Sequence, residues 1–341
     1  MLVTGHTGFK GSWLALWLQR SGADLFGISF PAARPSLFAL ADVGRGMTSR
    51  EGDVRDVALL DAAISEHRPE VVIHLAAQAL VRRSYEQPLE TYSANVLGTA
   101  AVLEAVRRAG CVRAAVIVTS DKCYQNDGRS TTYSERDRLG GADPYSSKAA
   151  AELVTAAYRT SFFLAASDGP AIATVRAGNV IGGGDWAADR LVPDVMRALI
   201  GGMAPIIRSP TAVRPWQHVL DCLNGYLCLA ERMILSGREF EGAWNFGPDP
   251  GQSCTVDHLV DQLCAGWGPA TRWSRETRPQ PPEAQYLQLD SAKARERLSW
   301  RPHLQLADAL RSTVAWYKAY ARGEDLRKVT LDQIDGFEQR Q

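Results

Sequence analysis

Residues 2–20, LVTGHTGFKGSWLALWLQR, decide the fold of this chain. A short apolar run, Leu2–Thr4, leads into three glycines spaced three residues apart, and a helical segment follows. Glycines at such a turn let the backbone approach a pyrophosphate, and the helix N-terminus supplies amide donors. A glycine-rich turn without a ligand is the alternative, but it does not explain the strand-turn-helix setting. The stretch therefore predicts a dinucleotide cradle formed by Gly5, Thr7, Gly8, Phe9, Lys10 and Gly11.

Strand-like and helical segments alternate through the first half of the chain. The predicted strands after Leu2–Thr4 are Ala23–Phe30, Val71–Leu75, Arg113–Thr119 and Ile172–Arg176, and the predicted helices are Gly11–Arg20, Val57–Glu66, Leu89–Ala109 and Tyr145–Phe163. Such alternation indicates βαβ crossovers and a parallel sheet covered on both faces. We predict an α/β fold with a Rossmann-type, doubly wound parallel sheet in residues 1–175. Residues 176–341 are expected to form mainly a smaller substrate-binding lobe, with some segments returning to the first domain.

Composition excludes several classes of protein. The 341 residues carry 38 Lys and Arg against 38 Asp and Glu, so no basic field is available to bind nucleic acid. The longest early apolar stretch, Trp13–Leu18, is too short to cross a bilayer. The six cysteines have no spacing typical of a metal site, and we expect reduced thiols. A cytoplasmic protein without membrane partner or metal is the expectation.

Two later stretches extend the predicted cofactor site. Asp53 and Val54 follow the presumed third strand, and Leu75, Ala76 and Ala77 end the fourth, where small residues let a cofactor lie against the backbone. The second strand ends in Gly27–Pro31 without the carboxylate that usually holds a ribose 2′-hydroxyl, and Arg34 lies nearby. These residues leave the choice between NAD and NADP open.

A polar run follows the strand before residue 119. Ser120, Asp121 and Lys122 place a hydroxyl, a carboxylate and an amine at a carboxyl edge, where open α/β sheets bind ligands. A solvated polar loop is the alternative explanation.

These motifs together carry a resemblance. The fingerprint, TSDKCY at 119–124, DPY at 143–145 and RPWQHV at 214–219 resemble the CDP-glucose 4,6-dehydratases of the extended short-chain dehydrogenase/reductase superfamily. The resemblance covers nearly the whole chain, and Asp-Lys at 121–122 is its most discriminating element, since dTDP-glucose-type enzymes have Asp-Glu there. It implies an NAD-dependent lyase that converts CDP-D-glucose to CDP-4-keto-6-deoxy-D-glucose by internal hydride transfer.

The resemblance also implies roles for individual residues. Tyr145 would take the proton of the hydroxyl on carbon 4, with Ser120 and Lys148 holding that oxygen and the cofactor ribose. Lys122 would remove the proton of carbon 5 while Asp121 protonates the departing hydroxyl of carbon 6. The resemblance and the chemistry of phosphate recognition imply four substrate-binding residues: Gln78, Asn179, Arg190 and Arg214.

One feature departs from the superfamily pattern. Tyr145 and Lys148 are three residues apart, whereas relatives have four, which rotates Tyr145 by about 100° on an α-helix. Either Pro144 starts a locally unwound turn that restores the phenol's position, or the chemistry is impaired. The alternatives to the dehydratase are therefore an epimerase or another nucleotide-sugar dehydratase of the same fold, and a non-catalytic dinucleotide-binding sensor. Relatives commonly form homodimers through helices corresponding to 89–109 and 145–163, and we expect the same here.

Overall fold

The computed structural model describes residues 1–126, 131–141, 143–164, 169–249, 251–268, 272–277 and 287–340. Its strands are β1 Leu2–Thr4, β2 Phe26–Ser29, β3 Thr48–Glu51, β4 Val71–His74, β5 Ala114–Val118, β6 Ala171–Arg176, β7 Val180–Ile181, β8 Ile206–Ile207, β9 Val213–Pro215, β10 Gln217–His218, β11 Gly242–Asn245, β12 Ser253–Thr255 and β13 Ser274–Arg275. Its α-helices are α1 Phe9–Arg20, α2 Leu37–Leu40, α3 Val57–His67, α4 Val81–Glu86, α5 Pro88–Tyr92, α6 Gly98–Arg108, α7 Ser147–Tyr158, α8 Leu191–Ile200, α9 Val219–Ser236, α10 Val256–Trp267, α11 Ala292–Leu298, α12 Leu306–Ala321 and α13 Leu326–Glu338. The predicted helices Leu89–Ala109 and Tyr145–Phe163 are continuous but irregular, because each contains a π-helical turn, Ser93–Leu97 and Arg159–Phe163 respectively.

The main sheet has seven strands in the order β11-β6-β5-β4-β1-β2-β3, and every neighbouring pair is parallel. The strand order reverses between β1 and β4, which is where open α/β sheets bind dinucleotides. The prediction of a Rossmann-type, doubly wound parallel sheet is confirmed. The second strand, Phe26–Ser29, is shorter than the predicted Ala23–Phe30, and its first residue pairs with Leu2 of β1.

Side chains alternate between two apolar cores, one on each face of the sheet. In β5, Val116 packs into the core that contains α1 and α9, and Ile117 packs into the core that contains α3 and α6. Both side chains are fully buried. Because parallel strands with helices on both faces need apolar residues at every position, the central strands read as continuous apolar runs.

The second half of the chain completes the sheet and builds a lobe beside its carboxyl edge. Strand β11 pairs with β6, so a segment from the second half of the chain completes the main sheet. Three two-stranded sheets, β7 with β10, β9 with β12 and β8 with β13, belong to the lobe. The division at residues 175 and 176 remains a prediction. Among the described residues, no helix combines the length and the apolar character needed to cross a membrane.

Candidate active site

A cleft of about 790 Å³ lies between the carboxyl edge of the main sheet and the C-terminal lobe. All the residues predicted for the site line it. They are Gly5, Thr7, Gly8, Phe9, Lys10, Gly11, Asp53, Val54, Leu75, Ala76, Ala77, Gln78, Ser120, Asp121, Lys122, Tyr145, Lys148, Asn179, Arg190 and Arg214. Because these residues come from many separate segments of the sequence, their meeting in one cleft depends on the parallel sheet, whose strand ends share one edge.

The glycine turn forms a tight cradle at the N-terminus of α1. A Cβ on Gly11 would lie 2.2 Å from the carbonyl oxygen of Gly5, and a Cβ on Gly5 would lie 2.6 Å from the backbone nitrogen of Ala76. Gly5 also has a φ of +75°, which favours glycine. The helix begins at Phe9 directly after this turn, so its first amides are available to a phosphate. The cradle therefore fits the pyrophosphate of a dinucleotide.

The second strand ends in hydroxyl groups. The Ser29 hydroxyl lies 2.6 Å from the Thr7 hydroxyl, which also donates to the carbonyl oxygen of Phe30 at 3.0 Å. Arg34 is exposed, and its neighbour Ala33 is the residue of that segment that lines the cleft. The structure thus places no carboxylate at the end of this strand.

Asp53 lies at the same end of the cleft and contacts Arg55. The guanidinium of Arg55 donates two hydrogen bonds to the Asp53 carboxylate and a third to Glu90. The side-chain hydrogen bond from Arg55 holds the pKa of Asp53 below its usual value. The Asp53 carboxylate is therefore ionised, and its direction is fixed by Arg55.

Gln78 follows β4 and has a structural role that its sequence did not show. Its side-chain amide donates to the carbonyl oxygen of Leu80 and to Thr91, and it accepts from the Leu80 amide. Asn95 lies in the π-helical turn before α6. Its side chain accepts from the backbone amide of Gln78 and donates to the backbone carbonyl oxygen of Gln78 and to the Ser147 hydroxyl, the last at 2.9 Å. Asn95 was not identified from sequence. It ties the loop after β4 to the start of α7.

At the carboxyl end of β5, Ser120 and Asp121 are buried and Lys122 is exposed. The Ser120 hydroxyl donates to the Asp121 carboxylate at 2.7 Å, and Asp121 is only 4% exposed. Lys122 is exposed, and its backbone amide donates to the Ser120 hydroxyl at 3.2 Å. Its Nζ lies 5.8 Å from the centre of the Tyr145 ring. A hydroxyl, a carboxylate, an amine and a phenol therefore border one space.

Tyr145 lies in a single 3₁₀ turn, Pro144–Ser146, that precedes α7. Lys148 lies in the α-helix that follows, so only the first of the three steps from Tyr145 to Lys148 lies in the 3₁₀ turn, at about 120° against about 100° on an α-helix. The Asp143 carboxylate caps the turn by accepting from the Tyr145 amide at 2.8 Å. Tyr145 and Lys148 line the same cleft, and compensation of the three-residue spacing by this turn stays a prediction.

Burial shifts the pKa values of both groups in opposite directions. It raises the pKa of Tyr145 to about 12, while Arg190 and a hydrogen bond with Ser120 act to lower it and Asp121 and Asp143 act to raise it. Burial, followed by the charge of Lys10, lowers the pKa of Lys148 to about 8. The Lys148 ammonium donates to the carbonyl oxygen of Val118 at 3.3 Å. At pH 7 Lys148 is still mainly protonated, so it can supply positive charge to the cleft.

Three of the four predicted substrate-binding residues, Asn179, Arg190 and Arg214, come from separate segments of the second half. Asn179 follows β6 with a φ of +50°, and its carbonyl oxygen accepts from Gln217. Arg190 is paired with Asp185 at 3.0 Å and donates to the carbonyl oxygen of Ala79 at 3.3 Å, the oxygen that the Tyr145 hydroxyl also faces. Arg214 lies in β9 and donates to the carbonyl oxygen of Val213. Arg190 therefore connects the proposed substrate side of the cleft with the phenol.

Below the cleft lies a buried ion pair that the sequence analysis missed. Glu152, one turn after Lys148 on α7, makes two hydrogen bonds with the Arg176 guanidinium, both at 2.8 Å. The side chains are 4% and 3% exposed. A glutamate on the apolar, inward face of the helix pattern was the available signal, because an ionised group is seldom buried without a partner.

Metal ligation has no support in the described part of the chain. No group of three or more His, Cys, Asp and Glu side chains lies close enough there to hold a metal ion. All six cysteines are free thiols, as expected.

The fold and the cradle define a dinucleotide-binding α/β enzyme, and comparisons with known proteins specify it further. Residues 1–241 match the family described as NAD dependent epimerase/dehydratase. The chain is 49% identical to a CDP-glucose 4,6-dehydratase of Salmonella typhimurium over 99% of this chain and 95% of the relative. The chain belongs to the NAD dependent epimerase/dehydratase family.

Solved structures agree with this assignment. A UDP-glucose 4-epimerase of Thermus thermophilus in complex with NAD is 25% identical, with a TM-score of 0.78 over 93% of this chain and 98% of that one. The dTDP-glucose 4,6-dehydratase DesIV of Streptomyces venezuelae, solved with NAD bound, has a TM-score of 0.80 over 96% and 99% of the two chains at 24% identity, which shows the shared fold. Since the family is NAD-dependent, the cofactor of this chain is NAD, and the choice that the end of β2 left open is decided.

Proposed function

We propose that this chain is a CDP-glucose 4,6-dehydratase, a lyase that converts CDP-D-glucose to CDP-4-keto-6-deoxy-D-glucose. The observation that carries the proposal is the exposed amine of Lys122 beside the Tyr145 ring, next to the buried carboxylate of Asp121. A phenol, a carboxylate and an amine around one space provide the three proton transfers that the reaction needs. The full-length similarity to the Salmonella typhimurium enzyme supports the same conclusion.

The cofactor would be held by the glycine cradle at α1, by Asp53 and Val54, by Leu75–Ala77 and by Lys148. NAD, when bound, supplies the acceptor for the hydrogen at carbon 4 and later the donor for carbon 6. Because no net oxidation occurs, the chain must retain the cofactor through the whole cycle. The close backbone approach of Gly5 to Ala76 supports a tightly fitting site.

The first proton transfer is assigned to Tyr145. The ionised phenol takes the proton of the hydroxyl on carbon 4, and the Ser120 hydroxyl would donate to the same oxygen in place of Asp121 when the substrate is bound. Burial alone opposes ionisation of the phenol, whose pKa is raised to about 12, so positive charge must compensate. Arg190 lowers the pKa of the phenol, and the ammonium of Lys148 lines the same cleft.

The second and third transfers are assigned to Lys122 and Asp121. The ketone at carbon 4 acidifies carbon 5, and Lys122, as the neutral amine, takes the carbon-5 proton. Asp121, in its protonated form, supplies the proton with which the hydroxyl leaves carbon 6 as water. When carbon 6 is then reduced, Lys122 returns its proton to carbon 5. The Asp121 carboxylate is held by the Ser120 hydroxyl and by contact with Gly178, where a Cβ would lie 1.9 Å from its Oδ2 atom. Gly178 thus makes room for the acid.

We assign the diphosphate of the substrate to Arg190 and Arg214, because a guanidinium presents paired donors that match phosphate oxygens. Asn179 lines the same cleft, and we assign it to the diphosphate as well. Gln78 keeps the loop after β4 in place through its own hydrogen bonds, so its contribution to substrate binding would come through that loop.

The proposal is tested with a panel of CDP-, UDP-, dTDP- and GDP-hexoses. Formation of a 4-keto-6-deoxy sugar from CDP-glucose is followed by mass spectrometry as a loss of water. Turnover of CDP-glucose alone is the expected result. Turnover of a different nucleotide sugar would indicate another dehydratase, exchange of configuration at carbon 4 would indicate an epimerase, and binding without turnover would indicate a sensor.

We further propose that the chain forms a homodimer through the helical segments 88–108 and 147–163. Exposed apolar side chains cluster on these segments, with Leu89 84%, Leu97 61% and Leu153 60% exposed. Monomeric proteins seldom leave such a set uncovered on one face. Leu97→Glu combined with Leu153→Glu is expected to give a monomer in sedimentation, whereas Leu235→Glu, at an exposed leucine on α9, is the matched control and leaves the dimer intact.

A further inference from the structure

The buried Glu152–Arg176 pair is the centre of a larger hydrogen-bond network. Thr119 donates to one carboxylate oxygen of Glu152 at 2.5 Å, and Thr174 donates to the other at 2.6 Å. Arg176 uses its remaining Nη1 atom to donate to the Tyr124 hydroxyl at 2.7 Å. Both charges are therefore fully matched by partners inside the protein.

The network continues beyond Tyr124 to the edge strand of the sheet. The Tyr124 hydroxyl donates to the Asn245 side chain in β11 at 2.8 Å. The Asn245 amide group in turn donates to the carbonyl oxygens of Tyr133 at 2.9 Å and Asp290 at 3.0 Å. Tyr124 is 2% exposed, and its ring stacks on that of Tyr133. One side chain thus joins the segment after β5 to two strands and to the C-terminal half.

A network of this kind is poorly explained by stability alone. Burying two charges costs several kcal/mol each before their attraction is counted, and apolar residues of similar size often serve stability equally well. The network does fix the relative positions of the segments that hold the proposed catalytic residues. Thr119 precedes Ser120, Glu152 lies one helical turn from Lys148, and Tyr124 follows Lys122 by two residues.

Lys122 depends on this anchoring more than the other groups do. It lies in a single 3₁₀ turn, Asp121–Cys123, whose first residue is held by the Ser120 hydroxyl. The side chain itself is exposed, so packing does not fix the direction of its amine. The end of the turn is fixed by Tyr124, through the hydrogen bonds with Arg176 and Asn245.

We propose that Tyr124 is a positioning residue that holds Lys122 for proton removal at carbon 5, an inference that rests on the proposed dehydratase function. Loss of the Tyr124 hydroxyl leaves the contacts of Thr119 and Glu152 in place, so Ser120 and α7 keep their positions. Oxidation at carbon 4, assigned to Tyr145, is then preserved. Removal of the carbon-5 proton slows, because a displacement of about 1 Å in a catalytic group costs on the order of 100-fold in rate.

The experiment compares Tyr124→Phe with the unchanged enzyme in single-turnover reactions with CDP-glucose, quenched and read by mass spectrometry. The 4-keto sugar that still carries its 6-hydroxyl differs by one water from the product, so the two steps separate. We expect oxidation within about twofold of the unchanged enzyme and loss of water slowed about 10- to 100-fold. The intermediate accumulates, and uptake of solvent deuterium at carbon 5 slows equally.

Tyr133→Phe is the matched control, since it removes a hydroxyl from the neighbouring ring and leaves the backbone oxygen that Asn245 uses. Both steps are expected to keep their rates in this variant. Asn245→Ala removes the side-chain oxygen that accepts the hydrogen bond from the Tyr124 hydroxyl. This variant is also expected to slow removal of the carbon-5 proton. Thermal melting of each variant reports whether the fold survives.

Three results would overturn the proposal. They are equal slowing of both steps in Tyr124→Phe, no slowing of either, and the same selective slowing in Tyr133→Phe. Failure of the unchanged protein to form any 4-keto sugar from CDP-glucose is a different outcome, and it would refute the proposed function itself.

Discussion

The cap on the 3₁₀ turn that carries Tyr145 provides a sharp test of the three-residue spacing. Asp143 accepts a hydrogen bond from the Tyr145 amide at 2.8 Å, and Pro144 occupies the first position of the turn. In Asp143→Ala this acceptor is lost, and the turn loses the contact that favours it over a regular α-helical start. A regular start would rotate Tyr145 by roughly 20° relative to Lys148, since one of the three steps between these residues lies in the 3₁₀ turn, at about 120° against about 100° on an α-helix.

The expected change in kcat follows from the free energy that a side-chain cap contributes to a turn. Loss of a side-chain cap costs about 1 kcal/mol, which corresponds to roughly a fivefold change in an equilibrium or a rate. We expect kcat for CDP-glucose to fall about fivefold in Asp143→Ala while KM stays unchanged, because Arg190 and Arg214, to which we assign the substrate diphosphate, are unchanged. Steady-state kinetics at pH 7 measures both constants.

Asp143→Asn separates the cap from the charge. The asparagine side chain retains an oxygen that can accept from the Tyr145 amide, so kcat at pH 7 is expected to recover. The Asp143 charge raises the pKa of Tyr145, and its removal lowers that pKa, so the low-pH limb of the rate profile should move to lower pH. Arg190, Asp121 and Ser120 also act on the phenol and are unchanged in both variants. If Ala and Asn at position 143 lower kcat equally, the cap does not position Tyr145 and the reasoning fails.

Three further predictions follow from the geometry. Insertion of one serine after Ser147 should lower kcat by on the order of 100-fold, because it rotates Tyr145 by about 100° away from an already suitable turn, and a gain in rate would show that the native turn is not productive. Gly178→Ala places a Cβ 1.9 Å from the Asp121 carboxylate and should slow the loss of water in single-turnover reactions more than it lowers the melting temperature; unchanged kinetics would contradict the role of Asp121. Asp221 is fully buried, and burial raises its pKa from 3.8 to about 7, so ionisation of this group between these pH values favours the unfolded chain. In denaturant unfolding, the stability of Asp221→Asn relative to the unchanged protein should therefore rise by up to about 4 kcal/mol between pH 4 and pH 7. A stability difference that does not change with pH would refute this prediction.

The fold could be predicted because local sequence patterns determine which secondary structure several segments form. The run from Leu2 to Gly11 permits a strand, a tight turn and a helix in that order, and apolar runs such as Val71–His74 need cover on both faces. The order of the sheet and the common edge of its strands then follow from the handedness of βαβ crossovers. Hence Gly5 and Ser120, which follow β1 and β5, could be placed at one edge from sequence, whereas Arg190 entered the predicted site through the family resemblance.

The rest depended on contacts between distant segments. The capped 3₁₀ turn at Tyr145, the clamp of Asn95 on Gln78 and the network around Glu152 are set by hydrogen bonds across several elements, and no local pattern specifies them. A short-range spacing fixes how residues are arranged along one helix, but whether that helix begins as a 3₁₀ turn is decided by what its first residues contact. Sequence by itself therefore determined which chemical groups meet at the sheet edge, and tertiary structure decided how each is oriented, because orientation depends on partners that only folding brings within hydrogen-bond distance.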